Sequence, residues 1–141
     1  MSDKYPRFDP DRDTEWRMRL TELQYQVTRE SATERPNTGT LYMEDRIGDY
    51  HCICCGHLLF TSDMKYHSRC GWPAFHTEHP EAGIHRLEDR AFGMNRVEIR
   101  CGSCDAHLGH VFDDGPHESG GERYCVNSAS MDFIQEGEDD N

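Results

Sequence analysis

The residues of this chain best suited to chemistry are its seven cysteines, four of which fall in two matched pairs. Cys52 and Cys55, followed by Gly56, and then Cys101 and Cys104 stand at Cys-x-x-Cys spacing, at which a tight turn aims both sulfurs at one tetrahedral ion. Together they suit one structural zinc ion per chain, because zinc is redox-silent and accepts four thiolates. Residues 56–100 separate the pairs, so the ion would clip distant hairpins around an inserted body. Cys54 creates an ambiguity of register. Cys52 and Cys55 are preferred because their spacing matches the second pair and Gly56 supplies the positive φ such a turn often requires, which leaves Cys54 incidental. Ordinary buried thiols or a thioredoxin-like dithiol are the plain alternative.

Cys70 and Cys125 remain. In Arg123-Tyr124-Cys125-Val126-Asn127 a strand would put Arg123, Cys125 and Asn127 on one face, where the guanidinium favours a thiolate and Asn127 can orient a ligand. A structural cysteine beside an unrelated arginine reads that segment equally well. His107 and His110, in His107-Leu108-Gly109-His110-Val111-Phe112, are both candidate proton donors near neutral pH, although His107 directly follows the second cysteine pair and could simply shape its loop. Cys70-Gly71-Trp72-Pro73 places a thiol beside a rigid aromatic turn. Trp72 there could receive an apolar methyl group or serve as an ordinary core tryptophan.

These residues need a scaffold, and a chain of 141 residues supplies one domain. Hydrophobic residues are 35%, charged residues 30% and aromatics 10%, which is lean for a core but too rich for disorder. Fifteen basic against 27 acidic side chains give a net charge of -12, which repels a phosphate backbone and argues against nucleic acid. No apolar run is long enough for a signal-peptide core or a membrane span, so a cytoplasmic protein is expected. In that reducing compartment, metal ligation and redox catalysis explain the cysteines better than structural disulfides do.

Residues 1–12 are expected to be a flexible lead-in and residues 134–141 an acidic tail, around one domain over 13–133. Trp16, Leu20, Leu23 and Val27 follow the period of a helical face. Thr21 to Gln24 also fits a capping box, which would divide the stretch into two short helices. Beyond Pro36 the chain reads as strands, at 50–53, 58–60, 96–100, 107–112 and 123–127. Gly56, Gly102, Gly109 and Asp114-Gly115 are expected to mark bends or turns.

Taken in order, Glu15-Trp16-Arg17, Glu34-Arg35-Pro36, both cysteine pairs, Cys70-Gly71-Trp72-Pro73-Ala74-Phe75, His107 to Phe112 and Arg123 to Ser130 resemble the type B methionine sulfoxide reductases. The resemblance covers roughly residues 13–133. It implies a mainly β fold, with two antiparallel sheets in a compact barrel-like arrangement, a short helical N-terminal region and a four-cysteine zinc site. It also implies reduction of the R epimer of methionine sulfoxide in proteins, as a repair of oxidative damage, and leaves the free amino acid open as a further substrate.

By position in the family pattern, Cys125 corresponds to the nucleophile, Cys70 to a resolving cysteine and Trp72 to the residue that receives the sulfoxide methyl. His107, His110, Arg123 and Asn127 correspond to the polar surroundings. The implied cycle passes through a sulfenic acid and a Cys70–Cys125 disulfide that thioredoxin reduces, in a monomer with no organic cofactor. Arg69 departs from a common glycine, Asn37 from a common Phe and Phe92 from a common His. A zinc-stabilised interaction module would not need Cys125, and a Cys-His-Asn hydrolase would give Cys70 no role.

Overall fold

A computed structural model describes residues 13–90 and 93–136. The expected lead-in, Phe92 and residues 137–141 of the expected tail lie outside the described residues. Two helices, α1 (Asp13–Arg19) and α2 (Glu22–Glu30), open the described chain. Thr21 separates them by a capping box: its hydroxyl accepts from the Gln24 backbone N–H and the Gln24 side chain accepts from the Thr21 N–H, at 3.1 and 2.9 Å. The break resets the helical phase. Trp16, Leu20 and Val27 are therefore buried while Leu23, expected on the same face, is exposed.

Nine strands follow: β1 (Gly48–Cys52), β2 (Leu58–Thr61), β3 (Lys65–Tyr66), β4 (Ala74–Phe75), β5 (His85–Asp89), β6 (Arg96–Arg100), β7 (His107–Phe112), β8 (Arg123–Val126) and β9 (Met131–Gln135). They form two wholly antiparallel sheets, of order β2-β1-β9 and β3-β4-β8-β7-β6-β5. The fold is mainly β as expected, but the sheets do not close into a barrel. The longer one ends at a two-residue strand, β3, and at β5, most of whose residues are exposed, and neither pairs onward among the described residues. Ile134 and Gln135, expected in the acidic tail, are instead paired with β1.

Aromatic contacts join the sheets. Phe60 of β2 stacks on Phe75 of β4 with ring centroids 4.0 Å apart, and Tyr50 of β1 meets the same ring edge-on at 5.1 Å. Short strands such as β4 escape sequence reading because two residues carry no periodicity. This one is held by its neighbours, with Ala74 opposite Cys125 and Phe75 opposite Tyr124.

Gly109 is not a bend. It lies inside β7, where a Cβ would collide with the Cys125 carbonyl oxygen across the sheet, so glycine is needed for close backbone approach. Gly56 does serve its turn with φ +82°.

Candidate active site and metal centre

The two cysteine pairs occupy the ends of two hairpins, β1–β2 in one sheet and β6–β7 in the other, and both ends use the same hydrogen-bond plan. Cys52 N–H donates to His57 O and Gly56 N–H to Cys52 O; Cys101 N–H donates to Ala106 O and Asp105 N–H to Cys101 O, all at 2.8–2.9 Å. Asp105, with φ +68°, takes the place that Gly56 has in the first hairpin. The shared geometry aims Cys52, Cys55, Cys101 and Cys104 inward, where their sulfurs all lie within 4.8 Å of one another and are buried.

Across the two hairpins, Cys52 approaches Cys104 and Cys55 approaches Cys101, both at 3.6 Å. A tetrahedral ion with metal–sulfur bonds of about 2.3 Å needs sulfurs about 3.8 Å apart, so these four residues fit a metal ion. Cys54 is buried beside them but outside the set. Arg29 of α2 donates to Cys104 O at 3.1 Å and lies 3.6 Å from its sulfur, bringing positive charge to a thiolate-rich centre.

A separate cavity of about 270 Å³ is lined by Cys70, Trp72, His110, Arg123, Cys125 and Asn127, with Gly109, Phe112, Arg96 and Thr33 completing it. Of the residues singled out in the sequence, only His107 among the polar group is not on its wall. Strand β8 carries Arg123 and Cys125 on one face, and Arg123 Nη1 donates to Cys125 Sγ at 2.7 Å. Strand β8 ends at Val126, and Asn127 begins the 3₁₀ turn Ser128–Ser130 yet still reaches the cavity.

Cys70 arrives on the loop between β3 and β4, its sulfur 3.1 Å from that of Cys125. Arg69 just before it has φ +65°, the left-handed region that favours glycine and costs other residues about 1 kcal/mol. The two sulfurs are close enough to share a proton. The hydrogen bond with Cys125 lowers the Cys70 pKa to about 5, whereas the same bond and burial push Cys125 up. The pair thus carries one negative charge near neutral pH, and the guanidinium contact on Cys125 opposes that rise.

The histidines separate by environment. His110 lines the cavity and its Nε2–H donates to Asp89 Oδ2 at 2.8 Å, while Arg96 Nη2 donates to the same oxygen at 3.2 Å. His107 is buried behind it, with ring centroids 5.8 Å apart, and its Nδ1–H donates to Glu98 at 2.7 Å. Burial lowers the His107 pKa, which favours a neutral ring at neutral pH.

Several residues that hold the site had no separate signal in the sequence. Asp114 receives Arg123 on both oxygens, at 2.7 and 3.0 Å, while the Phe112 ring lies under the guanidinium at 4.6 Å. Glu34 is buried and ties three segments together. Its backbone carbonyl accepts from the Trp72 indole at 3.0 Å, its backbone N–H donates to Asn127 Oδ1 at 2.9 Å, and its carboxylate accepts from the N–H groups of Ser128 and Ala129. An acid followed by Arg-Pro gave no hint of this role because the partners lie far along the chain.

The chain matches the SelR domain over residues 20–135. The chain belongs to the SelR family of type B methionine sulfoxide reductases. Among its curated relatives, a peptide methionine sulfoxide reductase MsrB of Hahella chejuensis is 54% identical over 121 residues, covering 86% of each protein. One of the same name from Chromohalobacter salexigens is 50% identical over 119 residues, covering 84% of this chain and 90% of the relative. A probable methionine-R-sulfoxide reductase B of Caenorhabditis elegans is 53% identical over 121 residues, 85% of this chain and 80% of that protein. This type B reductase is therefore an oxidoreductase. No helix among its described residues is long and apolar enough to cross a membrane.

Proposed function

We propose that this reductase returns the R epimer of methionine sulfoxide in oxidised proteins to methionine, with Cys125 as nucleophile and Cys70 as resolving thiol. The observation that carries this reading is the 3.1 Å approach of two thiols from distant segments, both on the wall of one cavity with Trp72. That pairing favours redox chemistry over a Cys-His-Asn hydrolase, which has no use for a second thiol, and over an interaction module, which has no use for either. The relatives' names support a sulfoxide in a peptide as substrate, and one of them specifies the R form.

In this mechanism the proton shared by the dithiol passes from Cys125 to Cys70 as the Cys125 sulfur attacks the sulfoxide sulfur, whose methyl group lies against Trp72. His110, on the cavity wall and held by Asp89, supplies the proton to the oxygen; His107 stands behind it. The protonated oxygen then passes from the substrate sulfur to Cys125 as the Cys125–substrate sulfur bond breaks, so that methionine departs and Cys125 is left as a sulfenic acid. The Cys70 thiol then attacks Cys125, water leaves and a Cys70–Cys125 disulfide forms. Thioredoxin supplies the two electrons that return both thiols.

The metal held by Cys52, Cys55, Cys101 and Cys104 is read as one structural zinc, because an all-thiolate tetrahedral site with no open position suits that ion. Seven cysteines, none of them in a disulfide, support a reducing, cytoplasmic setting. One chain carries every residue of the reading, so a monomer suffices.

Incubation with each separate sulfoxide epimer and a dithiol tests this. Only the R form should be consumed. Cys125→Ser should release no methionine, whereas Cys70→Ser should release about one per chain and then stall when thioredoxin is the donor. Full thioredoxin-supported turnover by Cys70→Ser would remove Cys70 from the mechanism.

A further inference from the structure

The thiol pair is not approached from one side only. Cys70 lines the substrate-sized cavity and also a second, wider one of about 520 Å³, whose walls include Tyr66, Ser68, Asp114, Gly115 and Pro116. Cys125 lines the first cavity and not the second. Arg123 stands between them, on the wall of both, with Asp114 locking its far edge. Exposure agrees with this division: Cys125 is buried and Cys70 is half-buried.

We infer that the Tyr66–Ser68–Pro116 cavity is the entrance for the outside reductant, and that its thiolate attacks Cys70 rather than Cys125. The inference rests on the reading above, in which a Cys70–Cys125 disulfide forms. A thiolate attacking a disulfide does so at one sulfur, and the other leaves with the bonding electron pair. Entry through the second cavity reaches Cys70 alone. The Cys70–Cys125 bond then breaks, and the electron pair goes to Cys125, whose sulfur already accepts from Arg123 Nη1 at 2.7 Å. The charge develops where a cation waits for it, which stabilises Cys125 as the leaving group.

The product of this step is a mixed disulfide between the reductant and Cys70. The reductant's second thiol attacks its own sulfur in that bond, and Cys70 departs as a thiolate that takes up a proton. The dithiol loses two electrons and the protein gains two. Because the two cavities are distinct, methionine need not leave the first before the reductant uses the second. The occupant is therefore a dithiol protein that presents its nucleophilic cysteine on a projecting segment, narrow enough to enter the cavity that Tyr66 and Pro116 help to line.

Two measurements on the full chain test this. The enzyme is first oxidised by one equivalent of R sulfoxide and then mixed with thioredoxin whose second cysteine is replaced by serine, so that the mixed disulfide is trapped and can be mapped by peptide mass spectrometry. The adduct is expected on Cys70; an adduct on Cys125 overturns the assignment. Failure of the enzyme to release methionine and form the internal disulfide in the first place would count against the proposed function instead. Pro116→Tyr, which narrows the second cavity, should lower thioredoxin-supported turnover about tenfold, with release of methionine in the first turnover little changed. Undiminished turnover with thioredoxin in that variant overturns the entrance.

Discussion

At the scale of single residues, Arg123 shows how a side chain is prepared before any substrate arrives. Asp114 holds one edge of its guanidinium, the Phe112 ring lies under it and the remaining nitrogen reaches Cys125. A group fixed on three sides loses little freedom when it stabilises a thiolate, so its effect on the dithiol is direct. Alkylation of the reduced enzyme should follow the loss of the first proton from the pair, with a midpoint near the Cys70 pKa of about 5. Removing the cation in Arg123→Ala disfavours the charged form, so the midpoint should move up, by about one to two units. Alkylation rate against pH measures it, and a curve that does not move would mean that the guanidinium does not act on the pair. The Arg123–Cys125 relation was legible from the period of a strand. Asp114 was not, because nothing in a string of residues says that the turn after β7 folds back over β8.

At the scale of elements, β7 and β8 make the site by coming close together. Gly109 faces the Cys125 carbonyl, and the missing side chain leaves room both for that approach and for the cavity wall. Gly109→Ala should force the strands apart, lowering stability by about 1–3 kcal/mol and the rate of the first turnover by more than tenfold. Denaturant unfolding with single-turnover kinetics checks both; an alanine variant with unaltered midpoint and rate would show that the strands yield without cost. Read along the chain, the glycine resembles a turn signal, and only the register of the sheet reveals it as a contact. Glu34 belongs to the same scale. The carboxylate fixes the turn that follows β8 while its backbone holds Trp72 and Asn127, so one loop residue sets the relative position of three segments.

At the scale of the whole molecule, the two sheets are joined at their hairpin ends by four sulfurs and in their middle by aromatic rings. Arg29 extends the first connection to the helices, since it reaches Cys104 and lies 4.9 Å from the Trp16 ring, which Arg19 approaches on its own account at 5.0 Å. If a metal is bound there, its removal would leave four buried sulfurs in mutual contact with most of their charge unbalanced, and the hairpin ends should separate. Cys52→Ser, Cys55→Ser, Cys101→Ser or Cys104→Ser should release the metal and lower stability by roughly 3 kcal/mol or more. Cys54→Ser should keep both metal and thermal midpoint. Elemental analysis together with thermal unfolding decides the matter, and marked metal loss from Cys54→Ser would mean that the wrong sulfur was assigned.

What the sequence determined by itself was whatever depends on near neighbours. The Cys-x-x-Cys pairs need only a tight turn to bring two sulfurs together, Thr21 and Gln24 need only each other to divide the helices, and Arg123 and Cys125 share a face by the pleat of one strand. The tertiary structure decided which distant groups meet. It brought Cys70 within 3.1 Å of Cys125, put His110 on the cavity wall and His107 behind it, and left the sheets open where a barrel was expected. Local spacing is set by backbone geometry that each residue carries with it. The meeting of remote segments is set by strand register and by burial of the aromatic core, which the chain specifies only as a whole.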